Sequence, residues 1–141
     1  MSRRRGVLAL WMILAFAGLL TVLTGLLYGA VYRERADLSY EQGIAAAYAA
    51  ESGAVWALAY LQSGELPEGR FEREISAGEG TSCAVRIEKT GENGAFWQGT
   101  VKTRGLHASS GTLRYLQLTV SAEGEAPRTV KVEDLQKWKW Q

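Results

Sequence analysis

A run of 26 uncharged, mostly apolar residues, residues 7–32, follows the basic leader Arg3-Arg4-Arg5-Gly6 with no polar spacer between them. At about 1.5 Å rise per residue, a helix of this length measures about 39 Å. That length exceeds the hydrocarbon core of a bilayer, which is roughly 30 Å thick. Only a structure that satisfies its own backbone hydrogen bonds can cross that core. The sequence therefore predicts one membrane-spanning helix in this segment.

The junction between leader and apolar run leaves three interpretations open. A cleaved secretory signal peptide needs a shorter apolar region of about 7–15 residues and a small-x-small cleavage site. The run is too long, and Leu27-Tyr28-Gly29-Ala30 is a poor site of that kind. An uncleaved signal anchor is the second interpretation. The third is a prepilin that is cut between Gly6 and Val7, and the next thirty residues favour it.

The distribution of basic residues predicts the orientation of the span. Three arginines precede it, whereas Arg33 and Arg35 follow it, interleaved with Glu34 and Asp37. Cytoplasmic flanks carry the excess of Lys and Arg, and acidic residues count for little. We therefore expect a cytoplasmic N-terminus and an extracytoplasmic C-terminal part.

The helical pattern continues beyond the apolar run. Residues 33–37 are polar but contain neither Pro nor Gly, and alanines at 45–47, 49 and 50 add helix propensity. Apolar residues recur at three- and four-residue spacing and predict a one-sided stripe. They are Leu38, Tyr40, Ile44, Tyr48, Val55, Leu58 and Leu61. The end signals are Ser63-Gly64 and Pro67. One helix is predicted over about residues 7–62, with a membrane half (7–32) and an amphipathic half (33–62).

Residues 63–141 show short β-like runs separated by glycine-rich turns. Alternation of apolar and polar residues predicts strands at 81–90, 95–103, 113–122 and 128–135, with a possible edge strand at 71–75. Regular spacing and short turns favour an antiparallel meander. The apolar face of such a sheet needs a covering element, and the amphipathic half of the helix is the obvious one. We expect an α+β fold in which Ile44, Tyr48, Val55 and Leu58 become buried.

Here the chain resembles the type IV pilin superfamily. The matching features are the basic leader ending in Gly6, the apolar helix that starts at once with Val7, its amphipathic extension and the β-rich remainder. The nearest subgroups are the PilX-like minor pilins and the K-type minor pseudopilins of type II secretion. The stretch Ala47-Tyr48-Ala49-Ala50-Glu51-Ser52-Gly53-Ala54 is similar to one on their first helix. The resemblance covers about residues 3–62 and implies a pilin-like fold in the bacterial cytoplasmic membrane.

One residue departs from the family pattern. Most pilins carry Phe first and Glu fifth in the mature chain, and here these positions hold Val7 and Trp11. In the family, the glutamate is thought to neutralise the N-terminal ammonium of a neighbouring subunit. A buried cation is costly unless it is paired. K-type subunits also lack the glutamate, and the resemblance implies a place at a filament tip. The alternative is that Trp11 simply faces lipid in a protein that is no pilin.

Two further patterns allow either an assembly role or an ordinary structural one. Gly25 and Gly29 form a G-x-x-x-G pattern, which lets helices approach closely but also occurs as ordinary glycine content of membrane helices. Trp138 and Trp140 lie on one side of the last extended segment. They are interpreted either as a docking patch for a subunit or membrane, or as a strand end packed on the sheet.

Residues with catalytic chemistry are scarce. His107 is the single histidine and lies in a Ser/Gly loop, and Cys83 is the single cysteine, on the apolar face of a predicted strand. Cys83 is therefore interpreted as a small core hydrophobe rather than as half of a catalytic Cys83–His107 pair. There is no glycine-rich phosphate loop, metal-spaced cluster or G-x-S-x-G motif. We expect no enzymatic activity, no cofactor and no metal.

The charge balance gives no sign of a nucleic-acid partner. The formal net charge is +1, and without residues 1–6 the chain has 13 basic and 15 acidic residues, a net charge of −2. The basic residues of the C-terminal half have acids nearby and are interpreted as solvated strand faces. The resemblance to type IV pilins implies a minor pilin-like or pseudopilin-like subunit that primes or caps a membrane-anchored filament. Its partners would be a prepilin peptidase, other pilin-like subunits and membrane lipid. The alternative is a single-pass, signal-anchored β domain that binds a ligand or partner and never polymerises.

Overall fold

The structure is a computed structural model that describes the backbone of residues 2–138 and the side chains of residues 7–92 and 94–136. Its elements are α1 (Ser2–Ser63), β1 (Arg70–Gly78), β2 (Thr81–Asn93), β3 (Phe96–His107), β4 (Thr112–Glu123) and β5 (Thr129–Trp138). The chain divides into two compact units, one ending at Tyr40 and the other beginning at Glu41. The second unit includes the C-terminal part of α1 as well as the sheet.

The first unit is helical from residue 2 to residue 40, and every side chain described there is exposed. Thr21 and Thr24 donate their hydroxyl hydrogens to the carbonyl oxygens of Ala17 and Leu20, at 2.8 and 2.7 Å. These bonds leave no polar side-chain group of the two threonines dependent on water. Among the described residues, α1 is the one helix that is long and apolar enough to cross a membrane.

The second unit contains a five-stranded sheet in the order β1-β2-β3-β4-β5, with every neighbouring pair antiparallel. The predicted α+β class and antiparallel meander are confirmed, including the edge strand β1. Both β2 and β3 are longer than predicted, because β2 runs on to Asn93 and β3 runs on to His107, with β3 beginning at Phe96. The predicted four-residue turn shrinks accordingly, and Gly94 supplies the positive φ of 67° that this tight turn requires.

One face of the sheet is apolar and buried. Val85, Thr103 and Leu116 stand opposite each other across β2, β3 and β4, and Ile87, Val101 and Leu118 form the next row. All six side chains are buried. The side chains of α1 that complete this core are Ala50, Ala54, Ala57 and Leu61. Because side chains alternate along a strand, the charged residues between these positions lie on the opposite face.

The predicted burial of α1 is confirmed for Leu61 of the apolar stripe and is wrong for Ile44, Tyr48 and Val55. Ile44, Tyr48 and Val55 retain 37, 66 and 68% of their exposure, and Leu58 is only partly buried against the core. The buried face instead consists of small residues and one leucine. They are Gly43, Ala46, Ala49, Ala50, Gly53, Ala54, Ala57 and Leu61. We call this face and the sheet residues opposite it the small-residue seam.

Close approach of the two backbones explains why small residues occupy the seam. A Cβ added to Gly105 of β3 would lie 2.0 Å from the carbonyl oxygen of Ala46, and one added to Gly53 would lie 2.2 Å from Sγ of Cys83. Neither distance leaves room for a methyl group. The hydroxyl of Thr103 donates to the carbonyl oxygen of Ala50 at 2.9 Å. Larger apolar side chains on this face of the helix would force it away from the sheet.

Candidate interaction surfaces

The first candidate surface is the exposed apolar stripe of α1. Ile44, Tyr48, Glu51 and Val55 follow one another at spacings of four, three and four residues, so they share one face of the helix. All four side chains are exposed, on the side opposite the small-residue seam. We call these four residues the outer stripe. These predicted packing residues are exposed in the chain, so an intermolecular packing surface is the role that they can supply.

An aromatic cluster joins α1 to the edge strand β1. The rings of Trp56 and Tyr60 stack with centroids 5.4 Å apart, and Tyr60 stacks on Phe71 at 4.9 Å. The guanidinium of Arg73 lies 5.3 Å from the centre of the Trp56 ring. Trp56 and Tyr60 are four residues apart on a helix, which is the spacing at which aromatic side chains meet. This spacing was a readable signal that the sequence analysis did not use.

The second candidate surface is a groove on the outer face of the sheet, with a volume of about 450 Å³. Two cross-strand rows of side chains form it. One row is Glu74, Ala84, Arg104 and Tyr115, and the other is Glu72, Arg86, Lys102 and Gln117. We call it the Ala84 groove, because Ala84 has the smallest side chain in the two rows and the surrounding side chains are longer.

Charges in the second row of the Ala84 groove are largely matched. Glu72 accepts hydrogen bonds from Arg70, whose Nε lies 2.7 Å away, and from Nε of Arg86. These two guanidinium groups, Arg70 first and Arg86 second, lower the pKa of the Glu72 carboxyl below its ordinary value. Lys102 donates to Glu88 at 3.4 Å. The sequence alone indicated solvated strand faces here, because the cross-strand neighbours follow only from the register of the sheet.

The N-terminal residues singled out by the sequence lie on the first unit. Gly6 and Val7 are both within α1, and the side chains of Val7 and Trp11 are exposed. A Cβ added at Gly25 or Gly29 would meet nothing within 4 Å. The two glycines thus have no packing partner among the described residues, and their role in helix association stays a prediction. Nothing in the structure tests cleavage between Gly6 and Val7.

The C-terminal tryptophans fall at the limit of the description. The backbone of Trp138 belongs to β5, where it pairs with Tyr115 of β4. The side chain of Trp138 and the whole of Trp140 lie outside the described residues, so the docking patch stays a prediction.

Cys83 and His107 sit in unlike surroundings. Cys83 is buried in the small-residue seam, where desolvation raises the pKa of its thiol to about 11. It is therefore a neutral thiol at physiological pH and a poor nucleophile. Nδ1 of His107 hydrogen-bonds with the hydroxyls of Ser110 and Ser109 at 2.8 and 3.3 Å. The described residues contain no group of three or more His, Cys, Asp or Glu side chains placed to hold a metal ion.

These surfaces differ in chemistry: an apolar stripe on the helix, a charged groove on the sheet and an apolar span in the first unit. Comparison of the chain with models of protein families, with curated proteins and with solved structures found no match.

Proposed function

We propose that this chain is a minor type IV pilin-like or pseudopilin-like subunit that primes or caps a membrane-anchored filament used for secretion, DNA uptake or adhesion. One observation carries the proposal. The single helix α1 supplies both an exposed apolar segment of membrane-spanning length and the small-residue face on which an antiparallel sheet is packed. In this proposal the protein acts in assembly, through the surfaces by which it contacts the membrane and other subunits.

The residues that carry the sequence resemblance support this proposal. Within the stretch 47–54, Ala50, Gly53 and Ala54 are buried in the small-residue seam, whereas Glu51 is exposed. The small residues of this stretch therefore have a physical use, since they let the sheet approach the helix backbone. Because alanine and glycine supply most of this contact with the sheet, Ile44, Tyr48 and Val55 of the outer stripe are left for contacts outside the chain.

The outer stripe is the surface that would make such contacts. Ile44, Tyr48 and Val55 expose more than a third of their surface each, in a helix that has smaller residues available for burial. An apolar stripe at helical spacing is typical of helices that pack against other helices. In the proposed filament the stripe packs against neighbouring pilin-like subunits, and residues 7–32 lie in the membrane with the N-terminus on the cytoplasmic side.

Trp11 gives the proposed position in the filament. A subunit with tryptophan at this position has no carboxylate to offer the N-terminal ammonium of a subunit above it, so we place it at the tip. It would then be scarce relative to a major subunit. Immunogold labelling should show single terminal particles, and labelling along the whole shaft would refute the tip position.

The proposal is tested by the mature N-terminus. Mass spectrometry of the protein from membranes with an active prepilin peptidase should find a chain that starts at Val7, with a methylated amino group. Gly6→Leu should block this processing and leave membrane insertion unchanged. An intact leader in the wild-type chain would sink the proposal and favour the alternative, a signal-anchored β domain that does not polymerise.

A further inference from the structure

The Ala84 groove holds two opposite charges that its surroundings leave unmatched. Among the side chains that the structure describes, neither Glu74 nor Arg104 takes part in an ion pair, whereas Glu72, Arg86 and Lys102 in the adjacent row all do. Both unmatched side chains are exposed. The groove therefore presents one free carboxylate and one free guanidinium to solvent.

The sheet register places these two charges on either side of Ala84. Glu74 pairs with Ala84 across β1 and β2, and Ala84 pairs with Arg104 across β2 and β3. Neighbouring strands lie about 4.8 Å apart, so the backbones that carry the two charges are about 10 Å apart. Ala84 has the shortest side chain in this row and leaves a depression between Glu74 and Arg104, and the structure, which describes both of these side chains, shows no ion pair between them.

The complement of this depression is a ligand that carries both signs of charge. Guanidinium groups bind carboxylates through two parallel hydrogen bonds, so Arg104 selects an acidic group. Glu74 selects a basic group. A polyanion is disfavoured, because Glu72, Glu74 and Glu88 interrupt the basic residues and a phosphate backbone needs an array of cations.

The dimensions favour a short extended peptide. The groove volume of about 450 Å³ lies in the range of about 300–1,000 Å³ that is typical of ligand sites, and it matches a segment of a few residues. In an extended chain, residues i and i+2 point to the same side and lie about 6.7 Å apart. The long side chains of Glu74 and Arg104 can close the remaining distance.

We propose that the Ala84 groove binds an extended peptide segment of a partner protein that carries an acidic and a basic side chain two residues apart. Arg104 holds the acidic side chain, Glu74 holds the basic one, and the ligand backbone passes over Ala84. The proposal goes beyond the filament role and does not depend on it, since it concerns the face of the sheet opposite α1.

Binding is measured by fluorescence anisotropy with the full-length chain in detergent micelles. The probe is a fluorescein-labelled seven-residue peptide with Glu-Ser-Lys at its centre and alanines on both sides. Two matched peptides carry Glu-Ser-Glu and Lys-Ser-Lys. We expect the mixed-charge peptide to bind with a Kd of about 100 μM or lower and the other two about tenfold more weakly.

Charge reversal provides the decisive variants. Arg104→Glu should abolish binding of the mixed-charge peptide. The double variant Glu74→Arg with Arg104→Glu should restore it, because an extended peptide can bind in the reverse direction. Ala84→Leu should block binding by filling the depression. Lys131→Ala is the matched control, since it removes a basic residue from the outer face of β5 and should change Kd by less than about twofold.

Several outcomes would overturn the proposal. The first is that the mixed-charge peptide does not bind at about 1 mM. The second is that the Glu-Ser-Glu peptide binds with the same affinity, and the third is that Arg104→Glu binds the mixed-charge peptide as the wild type does. The fourth is that a single-stranded oligonucleotide competes at the groove and binds more tightly than the peptide. A circular-dichroism melting curve for each variant checks that the sheet is intact. All the substituted side chains point outward, so we expect the melting temperatures to stay close to that of the wild type.

Discussion

The two faces of α1 in the second unit reverse the usual order of side-chain size. The face that packs on the sheet is made mainly of alanine and glycine, whereas the opposite face carries Ile44, Tyr48 and Val55 in exposed positions. Burial of large apolar side chains stabilises a fold through area, at about 25 cal/mol per Å². Burial of small ones stabilises it through close packing, since the helix backbone comes within contact distance of the sheet.

This difference in side-chain size shows which face of the helix stabilises the fold. The small-residue seam cannot accept additional atoms, because even a single methyl group would lie 2.0 Å from a backbone oxygen at Gly105. The outer stripe can accept additional atoms, because its side chains are exposed. Substitutions should therefore cost stability on the seam and affect only intermolecular contacts on the stripe.

The largest expected effect comes from Leu61, the largest side chain on the seam. It is fully buried, and Leu61→Ala should lower the free energy of unfolding by about 2–5 kcal/mol through lost burial and the cavity left behind. Val55→Ala on the outer stripe is the matched control and should cost less than about 0.5 kcal/mol. Urea unfolding of the full chain in detergent, followed by tryptophan fluorescence, measures both. Equal losses at the two positions would show that the faces are not distinct.

A methyl group added to the seam should come next in size. Gly105→Ala forces the helix and β3 apart and should cost about 1–3 kcal/mol, the usual range for overpacking. Gly69→Ala is its matched control, because a Cβ at Gly69 meets nothing within 4 Å. The same unfolding measurement applies. A Gly105→Ala variant as stable as Gly69→Ala would mean that the close approach of helix and sheet is wrong.

The smallest effect is a pH dependence caused by Cys83. Its thiol pKa is raised from 9.0 to about 11 in the folded chain, because burial disfavours the thiolate. The unfolded chain therefore loses this proton first as pH rises, and stability should fall between about pH 9 and pH 11. Cys83→Ala removes this contribution.

Other groups also titrate in that range, so the relevant quantity is the difference between the wild-type chain and Cys83→Ala. Wild-type stability should fall more steeply than that of the variant between about pH 9 and pH 11 in the unfolding measurement. Parallel curves would show that water reaches the thiol and that the seam is not dry.

Local periodicity of the sequence was sufficient to predict the helix and the strands. The apolar run of residues 7–32 and the alanine-rich stretch after it predicted a long helix, and α1 spans Ser2–Ser63. Alternation at Cys83, Val85 and Ile87 predicted the buried face of β2, and these three side chains are buried. Such patterns are readable because a strand repeats every two residues and a helix every 3.6, whatever the element packs against.

Local periodicity could not predict the Ala84 groove or the face of α1 that packs on the sheet. Glu74, Ala84 and Arg104 are ten and twenty residues apart along the chain, and only the register of three strands brings them into one row. For α1, the residue spacing correctly identified an apolar stripe, but the prediction that this stripe packs on the sheet was wrong for Ile44, Tyr48 and Val55. The rule that large apolar residues face the core assumes a gap between elements that is wide enough to hold them.

The sequence by itself determined the elements of this protein: an apolar helix of membrane-spanning length, its alanine-rich continuation and five strands in a meander. Those follow from propensity and periodicity, which act over a few residues. The tertiary structure alone decided which face of α1 meets the sheet and which charges remain unmatched on the opposite side. Both depend on the distance between backbone segments that are far apart in sequence. Gly105 allows close packing only because Ala46 of the helix lies against it, and Ala84 forms a depression only because longer side chains lie on the neighbouring strands.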